Sequence, residues 1–349
     1  MANSIKLSSL GKTGLQVPPI IYGTSFMGNL YRELPWRTKL EIMREWFSAT
    51  DLPVVVDSAG KYGAGLALEV IGKGLQELNV EPGKILISNK LGWYRVPLTT
   101  PEPTFEKGAW ANLKFDAVQK ISYEGIKECW VQGNELLGKY NADLVSVHDP
   151  DEYLAASVDS ADREKRLEDI IEAYRALFEL KEQGEVKAVG IGSKEWKVIR
   201  ELYSKVKFDW VMIANSLTLY RHPDDILSFI EQLNRDGVGV INSAIFNAGF
   251  LTGGEYFDYR LIDESNPEDV ERIEWRKRFF SVCDEFGVQP GDACLHFAVS
   301  PNQISSVALN PSKPERIKRN VEVLQTDIPA EFWSALKENG VIDRNYKYL

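Results

Sequence analysis

The chain has 349 residues, 41 basic against 51 acidic side chains and a net charge of −10; 44% of it is hydrophobic and 26% charged. That is enough apolar material for a sizeable core, without the basic surface a nucleic-acid partner needs. Three scattered cysteines (Cys129, Cys283, Cys294) suit neither a disulfide framework nor a metal site, no run reaches the ~20 apolar residues of a membrane span, and Met1–Leu10 shows neither the basic start nor the apolar run expected of a signal peptide.

These features predict a cytoplasmic globular protein, a monomer or small homo-oligomer, with no membrane partner and no metal. Along the chain, Lys6-Leu7-Ser8 and Leu15-Gln16-Val17 flank Gly11-Lys12-Thr13-Gly14, which predicts a hairpin. Short β-rich runs follow at residues 19–23, 54–57, 85–88, 144–147, 186–191, 210–214, 238–241 and 304–309. Val54-Val55-Val56 is apolar on both faces, as a parallel strand requires. Segments of helical period lie between and after them, at residues 40–47, 66–78, 123–140, 163–183, 195–206, 223–234, 275–286 and 314–323. Residues 88–119 form a long connection, rich in Pro and Trp, of the kind that carries a substrate loop. Eight βα units with no Gly-x-Gly-x-x-Gly after the first strand predict one domain over residues 1–349. Its fold is a closed (β/α)8 TIM barrel whose N-terminal β-hairpin plugs the floor.

Such barrels carry their chemistry at the carboxyl ends of the strands. The sequence places Asp57, Lys90 and His148 there, with Tyr62 in the turn Gly60-Lys61-Tyr62-Gly63. Asp57 alone reads as a helix cap or a salt bridge. Three ionisable strand ends and a tyrosine at one rim read as a site, because unpaired buried charge is costly. A tyrosine hydroxyl has a pKa near ~10, too high for proton shuttling at neutral pH. Lys90 is therefore expected to lower it, Asp57 to hold Lys90, and His148 to hydrogen-bond the substrate oxygen.

Asp57-Ser58-Ala59-Gly60-Lys61-Tyr62-Gly63, Ile87-Ser88-Asn89-Lys90 and Asp143-Leu144-Val145-Ser146-Val147-His148-Asp149-Pro150 together resemble the aldo-keto reductase family. The likeness continues through Val189-Gly190-Ile191-Gly192-Ser193, residues 246–253 and residues 314–320, spanning essentially the whole chain. It implies an oxidoreductase that exchanges a hydride with a nicotinamide cofactor, with Tyr62, Asp57, Lys90 and His148 as its tetrad. Gly28-Asn29-Leu30-Tyr31-Arg32, His148-Asp149-Pro150-Asp151 and Phe246-Asn247-Ala248-Gly249 resemble the D-threo-aldose 1-dehydrogenase branch, which oxidises free aldoses at C1 to lactones. That likeness implies a small-molecule sugar substrate, an NAD(P)-dependent role in carbohydrate metabolism, and Tyr62 as the phenolate that takes the C1 hydroxyl proton. Asn29, Trp93 and Phe246 stand in the loops that would set specificity.

The resemblance also assigns cofactor contacts. Asn215 falls where the family binds the nicotinamide carboxamide, and Ser193 lies beside another such position. Asn242 and Ser243 close the seventh strand near the ring and pyrophosphate, with Asn242 or a neighbour replacing the aromatic that often stacks there. Gly23, Ser312 and Asn320 join this set. At the adenosine end Arg316 matches one of two basic residues that hold a 2′-phosphate; Asn310 replaces the other, with Lys313 close by. A charge-assisted phosphate contact is worth ~1.5–3 kcal/mol, so NAD is slightly favoured over NADP.

Other residues carry plainer readings. His222, before Pro223, reads as a surface or capping residue, and His296 as a satisfied core histidine; with no Cys/His cluster, no zinc site is expected. Glu33, Asp149 and Asp151 read as solvated loop carboxylates, with sugar hydroxyls as the alternative partner. The competing functions are an NADPH-dependent reductase of aldehydes or ketones on the same tetrad, and a non-redox barrel. A glycosidase needs two carboxylates about 5–10 Å apart, whereas these strand ends offer one Asp, a Lys and a His.

Overall fold

The computed structural model describes residues 6–258 and 260–349; residues 1–5, half of the segment read for a leader, lie outside them. Eight parallel strands close into a barrel: β1 (Ile20–Gly23), β2 (Val54–Ala59), β3 (Ile85–Leu91), β4 (Leu144–His148), β5 (Ala188–Ser193), β6 (Trp210–Ala214), β7 (Gly239–Ser243) and β8 (Ser306–Leu309). Each pairs with its successor, and β8 returns to β1 through Val307 opposite Ile20, so the sheet has no free edge. Around it run α1 (Trp36–Ser48), α2 (Leu66–Glu77), α3 (Tyr123–Leu137), α4 (Pro150–Ala155), α5 (Ser160–Glu182), α6 (Trp196–Tyr203) and α7 (Asp224–Asp236). They are followed by α8 (Pro267–Phe286), α9 (Pro290–Val299), α10 (Pro314–Val323) and α11 (Ala330–Glu338).

Pleating sends alternate strand residues inward. Ile21, Val55, Leu144, Ala188, Trp210, Met212 and Ile241 meet there, joined by Leu10 and Val17 from the hairpin Ser8–Ser9/Gln16–Val17. The hairpin thus plugs the floor as the sequence predicts. Trp210 fits only because position 190 is glycine: a Cβ there would lie 2.2 Å from the indole ring.

Three differences from the sequence reading have physical causes. Strands β2 and β3 run on to Ala59 and Leu91, because Asp57 and Lys90 satisfy each other across the two strands rather than emerging into solvent. Residues 88–119 are not simply a loop: Trp93–Pro97 and Phe115–Gln119 pair antiparallel within them. Helix α8 begins at Pro267, where Asn266 caps it by accepting from the Glu268 N–H; α4, α9 and α11 are additional.

His222 is neither a surface residue nor a cap. Its Nε2 accepts from the Asp343 N–H at 3.0 Å, and its ring packs 5.1 Å from Phe297 and 5.3 Å from Tyr346, pinning the C-terminal segment. His296 donates to Val323 O at 2.9 Å, as a satisfied histidine should. Among the described residues no helix is long and apolar enough to cross a membrane, and no group of three or more His, Cys, Asp or Glu is placed to hold a metal ion.

Candidate active site

The inward pleat that builds the apolar floor also builds the mouth. Two residues beyond Val55, and four beyond Leu86 and Leu144, it carries Asp57, Lys90 and His148. In register, Asp57 lies opposite Ser88, Ala59 opposite Lys90, and His148 opposite Gly192. The Asp57 carboxylate accepts from Ser88 Oγ at 3.1 Å and from Lys90 Nζ, and both members of the ion pair are buried. Tyr62 reaches the same place from the turn after β2, its N–H donating to Ala59 O at 3.0 Å. Its ring centroid is 4.8 Å from the Lys90 ammonium, and the ring stands edge-on to His148 at 5.6 Å. All four residues picked from the sequence meet at one point.

Their electrostatics correct one expectation. Burial dominates at Tyr62 and lifts the phenol above its ordinary value; the charge and hydrogen bond of Lys90 pull down without overcoming it. The phenol therefore keeps its proton more firmly than a free tyrosine. Burial alone would discharge Lys90, but Asp57 and Tyr62 outweigh it and hold the ammonium charged. Burial drives His148 well below the ordinary histidine range, with Lys90 and Lys61 reinforcing it against Asp149. At neutral pH the site holds a protonated phenol, a fixed cation and a neutral imidazole whose buried Nδ1 has no partner.

Of the residues picked for substrate, Trp93 is half-buried, 5.6 Å from Phe105, and belongs with Trp110 to the cluster that packs on Tyr62. Phe246, just after β7, is half-buried between the two large cores. Asn29 departs from its expected place. Its Oδ1 accepts from buried Lys39 at 2.7 Å and its Nδ2 donates to Ala111 O at 3.2 Å, so it props the first loop.

The cofactor candidates divide likewise. Asn215, directly after β6, is buried with its Oδ1 unpartnered, and Ser243 ends β7 on the inward pleat. Asn242 lies on the opposite pleat, where its Nδ2 donates to Leu217 O at 3.0 Å and to Ala298 O of α9 at 3.4 Å. It therefore faces the helix layer and does not stand in for a stacking ring at the mouth. Ser193 is also on the outer pleat, its Oγ 3.4 Å from Glu195 O. Gly23 backs onto Asn310, whose Nδ2 donates to Ser25 Oγ. Ser312 leads into α10, where Lys313 and Arg316 are exposed and Asn320 is half-buried one turn on. Arg319 pairs with Asp292 instead.

Sequence reasoning missed Lys61. It is buried against Glu106, Asp149 and Glu152, at 2.7, 3.1 and 2.9 Å. Asp149 and Asp151 are consequently not solvated rim carboxylates. Both are buried, Asp149 in the left-handed region, and Asp151 Oδ2 accepts the backbone N–H groups of Lys194 and Glu195 at 3.2 and 3.0 Å. A lysine in a glycine-rich turn carries no signal of burial, since its partners come from distant segments.

Comparison with known proteins identifies the family and the fold. The model of the aldo/keto reductase family matches residues 19–340. Pyridoxal 4-dehydrogenase of Microbacterium luteolum is 29% identical over 96% of this chain and 97% of its own length. D-threo-aldose 1-dehydrogenase of Pseudomonas sp is 25% identical over 94% and 96%, and L-galactose dehydrogenase of Arabidopsis thaliana 24% identical over 91% and 87%. Among solved structures, a holo-form aldo-keto reductase from Bacillus halodurans shares the fold with a TM-score of 0.69, covering 96% of both chains at 20% identity. The chain belongs to the aldo/keto reductase family and is an oxidoreductase of that family.

Proposed function

We propose that this protein is an NAD(P)-dependent dehydrogenase that oxidises a free aldose, as its cyclic hemiacetal, to the lactone. The observation that carries the reading is the convergence of Tyr62, Lys90, Asp57 and His148 at the barrel mouth. The relatives named above supply the substrate class. Two are named for sugars and one for pyridoxal, and both kinds of molecule close to cyclic hemiacetals, so one chemistry covers all three.

The side chains divide the work. Tyr62 Oη, having first lost its own proton to solvent, takes the proton of the C1 hydroxyl and returns to the phenol. Lys90, a cation beside the ring, favours the phenolate that this step consumes, and Asp57 holds Lys90. His148, neutral, hydrogen-bonds the substrate oxygen and orients it. A nicotinamide dinucleotide supplies the acceptor for the C1 hydrogen and its electron pair.

The residues present fit that group. Asn215 Oδ1, buried and unpartnered, suits the amide of the nicotinamide, with Ser243 beside it. The start of α10, with Ser312 before it and Lys313 and Arg316 exposed, suits phosphate. Asn310 is committed to Ser25, which leaves NAD slightly favoured; the two cations would admit the 2′-phosphate of NADP as well.

A second reading, reduction of aldehydes or ketones with NADPH, is favoured by one observation. The raised pKa of Tyr62 makes it a proton donor through the neutral range. A spectrophotometric screen tests both readings: free aldoses and pyridoxal with NAD+ and NADP+ separately, simple aldehydes with NADPH, and Tyr62→Phe as control. Aldose-dependent reduction of the cofactor supports the first. Turnover of aldehydes with none of aldoses moves the function to the second, and full activity in Tyr62→Phe sinks both mechanisms.

A further inference from the structure

Among the buried titratable groups that the chemistry above leaves unused, one stands beside the site. Lys61 is 2% exposed and adjoins Tyr62 in the chain. An ammonium held that far from water is tolerated only when its charge is well compensated. Here the compensation comes from two other segments: Glu106 in the connection between β3 and β4, and Asp149 and Glu152 after β4.

What those carboxylates touch next gives the arrangement its meaning. Glu106 meets Lys61 with Oε1 and accepts from Trp110 Nε1 with Oε2, at 2.7 Å in each case; the Trp110 ring is 5.9 Å from that of Tyr62. Asp149 Oδ2 lies 3.1 Å from Lys61 Nζ and 3.5 Å from His148 Nε2, and the His148 ring stands edge-on to Tyr62. Two arms leave Lys61 and return to the ring of its own neighbour. Surface ion pairs of this kind are worth little, but a fully buried hub has a fixed geometry to impose.

We propose that Lys61 is a positioning residue, fixing His148 through Asp149, and the substrate loop through Glu106 and Trp110, against Tyr62. The proposal rests on the reading of Tyr62 and His148 as the proton-transfer pair. The geometry makes the two arms separable. The Asp149 arm governs the state of the imidazole, and the Glu106 arm governs how the loop receives substrate.

The test uses the full chain and follows the imidazole resonances by NMR across pH. His222 and His296, the only other histidines, are held elsewhere and serve as internal references. His148 faces Asp149, Lys61, Lys90, Lys194 and the ring of Tyr62. Lys61→Met removes a cation and leaves the charge of Asp149 less balanced, and both changes favour imidazolium, so the titration of His148 moves upward. The acid limb of kcat/KM moves with it, and kcat/KM falls roughly ten- to hundredfold, the scale of a misplaced catalytic group.

Lys61→Met/Asp149→Asn returns the titration toward that of the parent chain, and Lys61→Arg retains most of the turnover. Glu106→Gln raises KM and leaves the pH profile in place. An unmoved His148 titration in Lys61→Met, or an activity loss that follows only the folded fraction, overturns the proposal. Full turnover in Tyr62→Phe overturns instead the reading beneath it, while the His148 titration still decides whether Lys61 governs that ring.

Discussion

The two ends of the barrel are built from the same eight strands and the same inward pleat, yet they are filled by opposite rules. At the floor, Leu10, Val17, Val55, Leu144, Trp210 and Ile241 meet as apolar surfaces. At the mouth, the same inward pleat carries Asp57 two residues beyond Val55, and Lys90 and His148 four residues beyond Leu86 and Leu144. Apolar burial stabilises at about 25 cal/mol per Å², whereas burying a charge costs free energy that only a well-placed partner offsets. The floor therefore contributes stability and the mouth draws on it. That a buried ion pair and an orphaned His148 Nδ1 persist at the mouth is the reason to look for chemistry there.

If this division holds, substitutions at the two ends should separate cleanly. Tyr62→Phe removes one hydroxyl from the mouth and should lower kcat about a thousandfold, the range of a lost proton-transfer group, with the thermal midpoint nearly unchanged. Steady-state kinetics beside a melting curve measure both. Trp210→Ala should do the reverse. The cavity it leaves is expected to cost about 3–5 kcal/mol in urea unfolding, with turnover per folded molecule preserved. A large kinetic defect in Trp210→Ala would show that the two ends are coupled.

Lys90→Met tests the mouth from both directions, because it strips Asp57 of its buried partner as well as Tyr62 of its cation. Lys90 has a folded pKa raised above the ordinary 10.5. Its contribution to stability is therefore whole below that ordinary value and is lost as pH rises through the folded one. The variant should be less stable than its parent across the neutral range, by about 3–5 kcal/mol, the scale for stranding one member of a buried pair. The kinetic sign is separate. Oxidation needs Tyr62 without its proton, so its rate should climb into the alkaline range, and removing Lys90 should push that climb to still higher pH. A downward move would mean that Lys90 does not act on Tyr62.

The floor was legible from sequence almost completely, since apolar runs, the Gly11–Gly14 turn and strand–helix alternation carry their own periodicity. So were the four mouth residues, because ionisable side chains that end apolar runs are anomalous in themselves. What escaped depended on partners far away in the chain. That Asp57 holds Lys90 was legible, but not that β2 and β3 run on past both residues to Ala59 and Leu91, because strand pairing is set by neighbours distant in the chain. The pairing of Trp93–Pro97 with Phe115–Gln119 spans a connection with no hairpin signal. The net direction of the Tyr62 shift also escaped, since a sequence shows the lysine that lowers a pKa but not the burial that raises it. Gly190 belongs with these. Its need is visible only beside Trp210, and Gly190→Ala should cost about 1–3 kcal/mol of stability, measured by denaturant, with kinetic constants intact.

The smallest expected effect lies outside both regions, at the start of α10. Lys313 and Arg316 are exposed there, while Asn310 is tied to Ser25. If they receive the 2′-phosphate, Lys313→Ala/Arg316→Ala should raise KM for NADP+ by about tenfold or more, the loss of one charge-assisted contact at least. KM for NAD+, which has no such group, should stay within about twofold, because surface cations far from any bound phosphate contribute little. The difference between the two cofactors is the measurement. It should shrink as salt is raised, since exposed charges are screened over about 10 Å at 0.1 M ionic strength. An equal rise for both cofactors would place the pair at the pyrophosphate instead and tie this helix to the mouth.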